Sequence, residues 1–268
     1  MAAVYRDWFS GKGYRVLYGD TDSLFVESGL DDNSSYETFF GWGKDLAAEL
    51  NICLRETIKN EYGLDSCLEL RFEKPYRRFM IPPLRGIKDE GRGRAKGYGG
   101  WLLDSKGRLT TEVRGMEAVR SDSTPLARRI QLELLDLVFR GGSREELKFY
   151  ISEIIRELRR GNLSEELVYR KRLSRAPETY TSSTPPQVKA ARALGWKNRR
   201  GTVEYVWTVS GPEPASLPHG PLDYDHYADS QILSVARSIA SAAGWDAEIF
   251  PHNRKDFLSD GQIELEFF

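Results

Sequence analysis

The 268-residue sequence predicts an α+β protein, in which antiparallel strands around one long helix give way near residue 120 to a mostly helical part. Three observations predict it. Short apolar runs bounded by turn residues recur up to residue 113; one segment, Phe39, Leu46, Leu50, Leu54 and Ile58, repeats instead at helical spacing; and after residue 120 helix caps and stops follow in close succession.

Taken in order, residues 14–18 and 23–27 read as two strands whose tip is Gly19-Asp20-Thr21-Asp22, all turn formers. Ser34 or Ser35 caps the long helix, and Gly63 ends it. Leu68, Leu70 and Phe72 alternate as a strand. Arg78–Ile81 returns as another, and Tyr98–Leu103 pairs with Leu109–Val113 across Ser105-Lys106-Gly107. Thr124-Pro125 then starts a helix with Leu126, Ile130, Leu134 and Val138 on one face and Gly141 beyond its end. Ser143 with Glu146 forms a capping box ahead of Leu147, Ile151, Ile154 and Leu158, and Gly161 stops that helix. Short helices begin near Ser164 and Thr184-Pro185. The alternation of Val203, Tyr205, Trp207 and Val209 predicts a strand, Gly211–Pro221 a proline-rich loop, and Tyr224–Ala243 a last helix.

The sequence is 40% hydrophobic and 12% aromatic, enough for a substantial core. No stretch approaches the roughly 20 apolar residues that cross a bilayer, and the start lacks the basic-then-apolar plan of a signal peptide. A cytoplasmic protein with no membrane partner is expected. Cys53 and Cys67 have no metal or disulfide spacing, and three scattered histidines, His219, His226 and His252, do not make a zinc set.

The net charge of −1 conceals segregation. Residues 71–130 carry 15 Lys and Arg against 7 Asp and Glu, and residues 156–200 carry 12 against 4; residues 1–70 carry 6 against 13, and residues 201–268 carry 3 against 11. Two basic blocks between acidic ends are either solvated helix faces or one surface that meets a polyanion.

Asp20 and Asp22 pose the sharpest question. Two carboxylates this close repel each other unless a cation or a proton intervenes. Hard divalent cations take oxygen ligands, and Mg²⁺ is often held by one or two carboxylates together with substrate phosphates. The tripeptide alone fits either a solvated Asx-type turn or such a cation site.

The longer string Tyr18-Gly19-Asp20-Thr21-Asp22-Ser23, between two apolar strands, resembles the metal-binding motif that family B DNA polymerases carry on a hairpin of the palm. Leu68-Glu69-Leu70 and Arg78-Phe79-Met80 resemble strands of the same palm. Arg94-Ala95-Lys96-Gly97-Tyr98-Gly99-Gly100 resembles the stretch that meets the primer-template duplex, with Ala95 where the family usually has a lysine. Arg114-Gly115-Met116-Glu117-Ala118-Val119-Arg120-Ser121-Asp122 resembles the entry to the thumb. Tyr169-Arg170-Lys171-Arg172-Leu173, Pro185-Pro186, Gly201–Trp207 and Pro221–Tyr224 are most similar to the thumb of the bacterial polymerase II-like branch.

The resemblance implies a partial palm over residues 1–120, antiparallel strands plus a long helix, then a mostly helical thumb over 121–255 and a tail over 256–268. It implies DNA-directed DNA polymerisation in replication or repair. Asp22 is the expected direct ligand and Asp20 the secondary ligand of Mg²⁺ in a two-metal site, which clamps the attacking primer oxygen and the leaving pyrophosphate of a dNTP. Glu73 is either an auxiliary acid or a solvent-facing strand residue. Lys96, Tyr98, Arg170, Lys171 and Arg172 are the expected contacts to primer-template DNA. Tyr98 could equally pack in the core, and Arg170-Lys171-Arg172 could equally decorate a helix end.

The family's exonuclease domain, first metal-binding aspartate and fingers helix are expected from an N-terminal polymerase chain, without which this chain would be inactive: a split polymerase, or a fragment of one, associated with the nucleoid. In the terminal Gly261–Phe268, Gln262, Leu265, Phe267 and Phe268 fit a peptide docked on a sliding clamp, or else a terminal strand. Two other classes stay open on the sequence: a non-catalytic DNA- and clamp-binding accessory subunit, and a structural partner that never touches metal. Intact Asp20 and Asp22 favour the catalytic class.

Overall fold

A ten-residue helix, α1 (Ala2–Gly11), leads into the antiparallel hairpin of β1 (Val16–Asp20) and β2 (Ser23–Val26), and a 27-residue helix, α2 (Tyr36–Tyr62), follows. The computed structural model describes residues 2–20, 23–82, 97–116, 120, 123–245 and 250. Its contacts divide the chain into two compact units, Met1–Phe79 with Gly100–Glu112, and Met80–Gly99 with Val113–Phe268. The mixed α/β character with antiparallel sheets agrees with the expected class.

In the first unit the long helix is capped as expected. Ser35, in extended conformation, accepts from the Thr38 N–H, and Gly63 turns left-handed at φ 68°. The buried side of α2 presents Phe39, Leu46, Leu50 and Leu54. Phe9, Leu46 and Leu50 form a core against which Trp8, Tyr14, Val16, Leu24, Trp42 and Leu70 pack. Burying such a side chain contributes about 1.5–3 kcal/mol. This core seats the β1–β2 hairpin on α2.

The strand expected at Leu68–Phe72 does not form; residues 64–75 are irregular. Asn51 takes over the role of a neighbouring strand: its side-chain amide donates to the Leu70 carbonyl and accepts from the Leu70 N–H, each at 2.8 Å. Phe72 fills the space that Gly43 leaves open on α2. The chain then enters a three-stranded sheet of order β3-β4-β5, with β3 at Tyr76–Met80, β4 at Tyr98–Leu103 and β5 at Leu109–Arg114. The turn between β4 and β5 is built on Asp104, whose carboxylate accepts from the N–H groups of Lys106 (2.9 Å) and Arg108 (2.8 Å). Those bonds hold its carboxyl below the usual range, the Arg108 N–H being the largest cause.

In the second unit the local signals hold closely. Helix α3 (Pro125–Phe139) has Thr124 as cap and proline in its first turn, and α4 (Arg144–Arg159) carries the complete Ser143/Glu146 box. Gly141 and Gly161 follow the two helices at φ 81° and 79°. Leu126, Ile130, Leu134, Leu147, Ile151 and Leu158 are fully buried. The helix expected near Ser164 is a single 3₁₀ turn, Ser164–Leu167, and the one near Pro185 is α5 (Pro186–Ala193).

A second three-stranded sheet runs β6-β7-β8, antiparallel throughout, with β6 at Tyr169–Leu173, β7 at Gly201–Thr208 and β8 at Gly211–Pro214. Two departures are informative. The proline-rich stretch opens as edge strand β8 rather than as loop; Pro212 and Pro214 alternate, so the intervening Gly211 and Glu213 keep the main-chain groups that face β7. Val209, expected in the strand, lies beyond it and is exposed.

The last helix is interrupted. Helix α6 (Tyr224–Tyr227) passes through a π-helical turn, Ala228–Leu233, into α7 (Ser234–Ala242). Ser230 and Ser234 donate back to the carbonyls four residues earlier, at 2.6 and 2.7 Å, a bonding pattern that disturbs helices. Within the turn, the buried Gln231 accepts from both the N–H and the hydroxyl of Thr124 at 3.1 Å, so that α3 is braced at its cap.

Candidate functional site

The hairpin is shorter at its tip than the sequence predicts. Tyr18 pairs with Phe25, Gly19 with Leu24 and Asp20 with Ser23, so the ladder runs closer to the tip than expected; Thr21 and Asp22 lie outside the described residues. The register shifts by one between Val16 and Tyr18, so β1 holds one extra residue at Leu17. A bulge of this kind sharpens strand twist and re-aims the residues beyond it. The base is anchored by rings: Phe25 lies 5.7 Å from Tyr18 and stacks on Phe79 of β3 at 4.7 Å. Gly19 faces Leu24 closely; a side chain there would begin 3.2 Å from the Leu24 methyl.

The main chain of Asp20 therefore closes the ladder, one rung below the tip. Its carboxylate, and all of Asp22, lie outside the described residues. Among the described residues no three His, Cys, Asp or Glu side chains converge as a metal set. The donors that the tip does offer, two carboxylates separated by one residue, are hard oxygen ligands and match the chemistry of Mg²⁺. Glu73 is exposed and sits in the irregular segment before β3, not on a strand.

Lys96 lies outside the described residues. Tyr98 opens β4 and is half-buried. Its glycine neighbours have packing reasons: in the second unit Gly99 faces Leu135, with 3.1 Å between a hypothetical Cβ and the leucine methyls, and in the first unit the ring of Tyr76 occupies the space over Gly100. The stretch expected at the entry to a thumb, residues 114–122, is described in part. Met116 is fully buried, and the Arg120 carbonyl accepts from the Arg128 guanidinium at 2.9 Å.

Arg170, Lys171 and Arg172 lie on strand β6, not at a helix end. Side chains alternate across a strand, so the three do not share a face. Arg170 and Arg172 are exposed on the outer face, while the half-buried Lys171 sits opposite Val203 on the inner one. Arg170 also has a counter-ion that sequence reading missed: Glu204, its cross-strand neighbour, at 2.8 Å. Only the strand register reveals that pair.

Behind β6 lies an aromatic layer. Tyr169 stacks on Tyr205 (5.0 Å) and Tyr227 (5.7 Å), and His226 stacks on Trp207 at 4.2 Å while its Nε2 bonds with the Tyr169 hydroxyl at 2.9 Å. Burial raises the Tyr227 phenol far above its ordinary value, and its oxygen accepts from the Trp207 N–H at 2.7 Å. This layer stiffens the strand that presents Arg170 and Arg172. The tail residues Gln262, Leu265, Phe267 and Phe268 lie outside the described residues.

Comparison with known proteins gives this geometry its context. The profile of DNA polymerase family B matches residues 5–210. The chain belongs to DNA polymerase family B. Among its relatives, Escherichia coli (strain K12) DNA polymerase II is 39% identical over 238 residues, 85% of this chain and 29% of that protein. DNA polymerase 2 of Aeropyrum pernix is 30% identical over 244 residues, 87% of this chain and 26% of that protein. A DNA polymerase of Methanocaldococcus jannaschii is 28% identical over 244 residues, 87% of this chain and 13% of that protein. This family B chain thus spans less than a third of the length of these relatives. The matched span includes the hairpin and β6.

Proposed function

We propose that this chain supplies the C-terminal part of a family B DNA polymerase: half of a metal site on the palm hairpin, and a thumb that grips primer-template DNA. The observation that carries the reading is the antiparallel β1–β2 hairpin, whose last described rung is Asp20–Ser23, inside the span that matches the family. Residues 1–120 act as the partial palm, 121–255 as the thumb, and 256–268 as a tail that docks on a sliding clamp.

Asp22 would hold Mg²⁺ directly, with Asp20 as the secondary ligand. The bound metal would supply charge neutralisation at the reacting phosphate and activation of the primer 3′-oxygen. The hairpin's part is positional. The bulge at Leu17 and the Phe25–Phe79 stack hold the strands that lead to the tip. The outward arginines of β6, with Lys96 and Tyr98, hold duplex phosphates independently of sequence. One hairpin has too few carboxylates for both ions, so an N-terminal chain bearing the exonuclease, fingers and remaining palm completes the dNTP site.

Primer extension tests this. The expected result is no synthesis by the chain alone and Mg²⁺-dependent synthesis once an N-terminal family B chain is added. Asp22→Ala abolishes that synthesis; a variant that extends primers at the wild-type rate would reject the assignment.

A further inference from the structure

The cations between β6 and β7 are arranged unlike those of the helices. On α4 and at the C-terminal ends of α3 and α4, Arg156, Arg140 and Arg160 are each neutralised within one helical turn, by Glu153, Asp136 and Glu157. Residues 168–203, by contrast, carry nine Lys and Arg against a single acid, Glu178. In the loop from α5 to β7, Lys197, Asn198, Arg199 and Arg200 are all exposed. Arg199 and Arg200 make no ion pair among the described residues.

This loop has a defined shape. Helix α5 ends in a glycine closure: Gly195 is left-handed at φ 71°, its N–H bonds the Arg192 carbonyl at 2.9 Å, and the Trp196 N–H bonds the Ala191 carbonyl at 3.1 Å. Asn198 is the one non-glycine residue at positive φ among the described residues, at 50°, a conformation that asparagine tolerates better than most. Its N–H donates to the Glu178 carboxylate at 2.8 Å. The only acid of the region therefore braces the loop. The Arg199 guanidinium lies 4.1 Å from the Trp196 ring centre, and the far edge of that ring packs against Gly201. Gly201 pairs with Leu173 and Thr202 with Arg172, so the loop leaves from beside the arginines of β6.

We propose that this α5–β7 loop is a preformed clamp for the phosphate backbone of duplex nucleic acid, continuous with the outer face of β6. The proposal rests on the DNA-gripping reading of Arg170 and Arg172. A guanidinium held over an indole face still has N–H groups to offer, and its fork matches phosphate oxygens. The duplex is favoured over a single strand because single-strand binders need open ring faces on which bases stack. Here Arg199 covers Trp196 and Arg175 covers Tyr180, at 4.8 Å.

The test is anisotropy of labelled duplex DNA and of oligo(dT) with the full chain across a salt series. Replacing Lys197, Arg199 and Arg200 together by Gln should flatten the plot of log affinity against log salt by about 2–3, since each neutralised phosphate contributes about 0.9. Replacing Arg140, Arg156 and Arg160 by Gln removes the same charge and should leave the slope as in the wild type. Equal flattening by both sets reduces the effect to net charge and overturns the clamp. Glu178→Ala makes the chain more positive yet should bind more weakly, because the brace is lost; tighter binding overturns the preformed loop. A loss confined to oligo(dT) overturns the duplex assignment. If the wild type binds duplex and the loop variant matches it, the clamp alone fails. If the wild type binds no duplex, the gripping role of β6 fails with it.

Discussion

Asn51 closes two 2.8 Å hydrogen bonds on the main chain of Leu70, donating to its carbonyl and accepting from its N–H. Asn51 is buried on α2, so an apolar substitute leaves both Leu70 groups without their partner. An unsatisfied buried group costs about 1–3 kcal/mol. Asn51→Leu should therefore lower stability by about 2–3 kcal/mol, read as a reduced urea midpoint. Asn51→Asp keeps an acceptor for the N–H but offers no donor, and should fall between the two; a Leu variant as stable as the wild type would refute the strap.

Two glycines make a second prediction. A Cβ on Gly43 would collide with the Phe72 ring, and one on Gly100 with the Tyr76 ring. Overpacking of this kind costs about 1–3 kcal/mol. Gly43→Ala and Gly100→Ala should each destabilise by that amount. Gly41→Ala, which meets nothing within 4 Å, should be neutral or slightly stabilising, as alanine is the better helix former. Thermal melts of the three variants separate packing from backbone propensity.

How much of this was legible beforehand follows from distance along the chain. Ser35, Thr124, Ser143, Gly63, Gly141 and Gly161 were readable because a cap engages residues only three or four positions away. The irregular path of residues 64–75 was not, because the alternation of Leu68, Leu70 and Phe72 satisfies a strand pattern while the decisive partner, Asn51, lies 19 residues away. The brace that the π turn gives α3 was hidden for the same reason: Gln231 answers Thr124 across 107 residues. At the candidate site, the acidic tip was visible in a six-residue string. The split of Arg170-Lys171-Arg172 between two faces was not, since a basic triplet suits a helix end as well as a strand. The Arg170–Glu204 pair needed the register of β6 on β7.

The capping box of α4 predicts a pH dependence. The Ser143 N–H, and then its side chain, hold Glu146 below the usual glutamate range. A depressed carboxyl contributes stability above its unfolded value, and that contribution disappears as pH falls through the folded one. Glu146→Gln retains the hydrogen bond but does not titrate. The wild type should therefore lose more melting temperature than this variant between about pH 7 and about pH 3. Parallel losses would show that the charge of Glu146 is immaterial. Ser143→Ala should cost about 1 kcal/mol through the lost cap.

The Arg170–Glu204 pair makes the last prediction. Both partners are largely exposed, 68% and 49%, and such a pair contributes little to stability, about 0–1 kcal/mol. Its consequence lies in binding: while Glu204 holds Arg170, a phosphate must displace a carboxylate to reach it. Glu204→Gln should leave the melting temperature almost unchanged, tighten duplex DNA binding, and steepen its salt dependence by about 0.9, the contribution of one newly neutralised phosphate. In the wild type Arg170→Gln should have a small effect on affinity. In the Glu204→Gln background the same change should cancel the gain, a coupling that a double-mutant cycle isolates. Additive effects of the two substitutions would mean that Glu204 and DNA do not compete for Arg170, and that the outer face of β6 carries Arg172 alone toward the duplex.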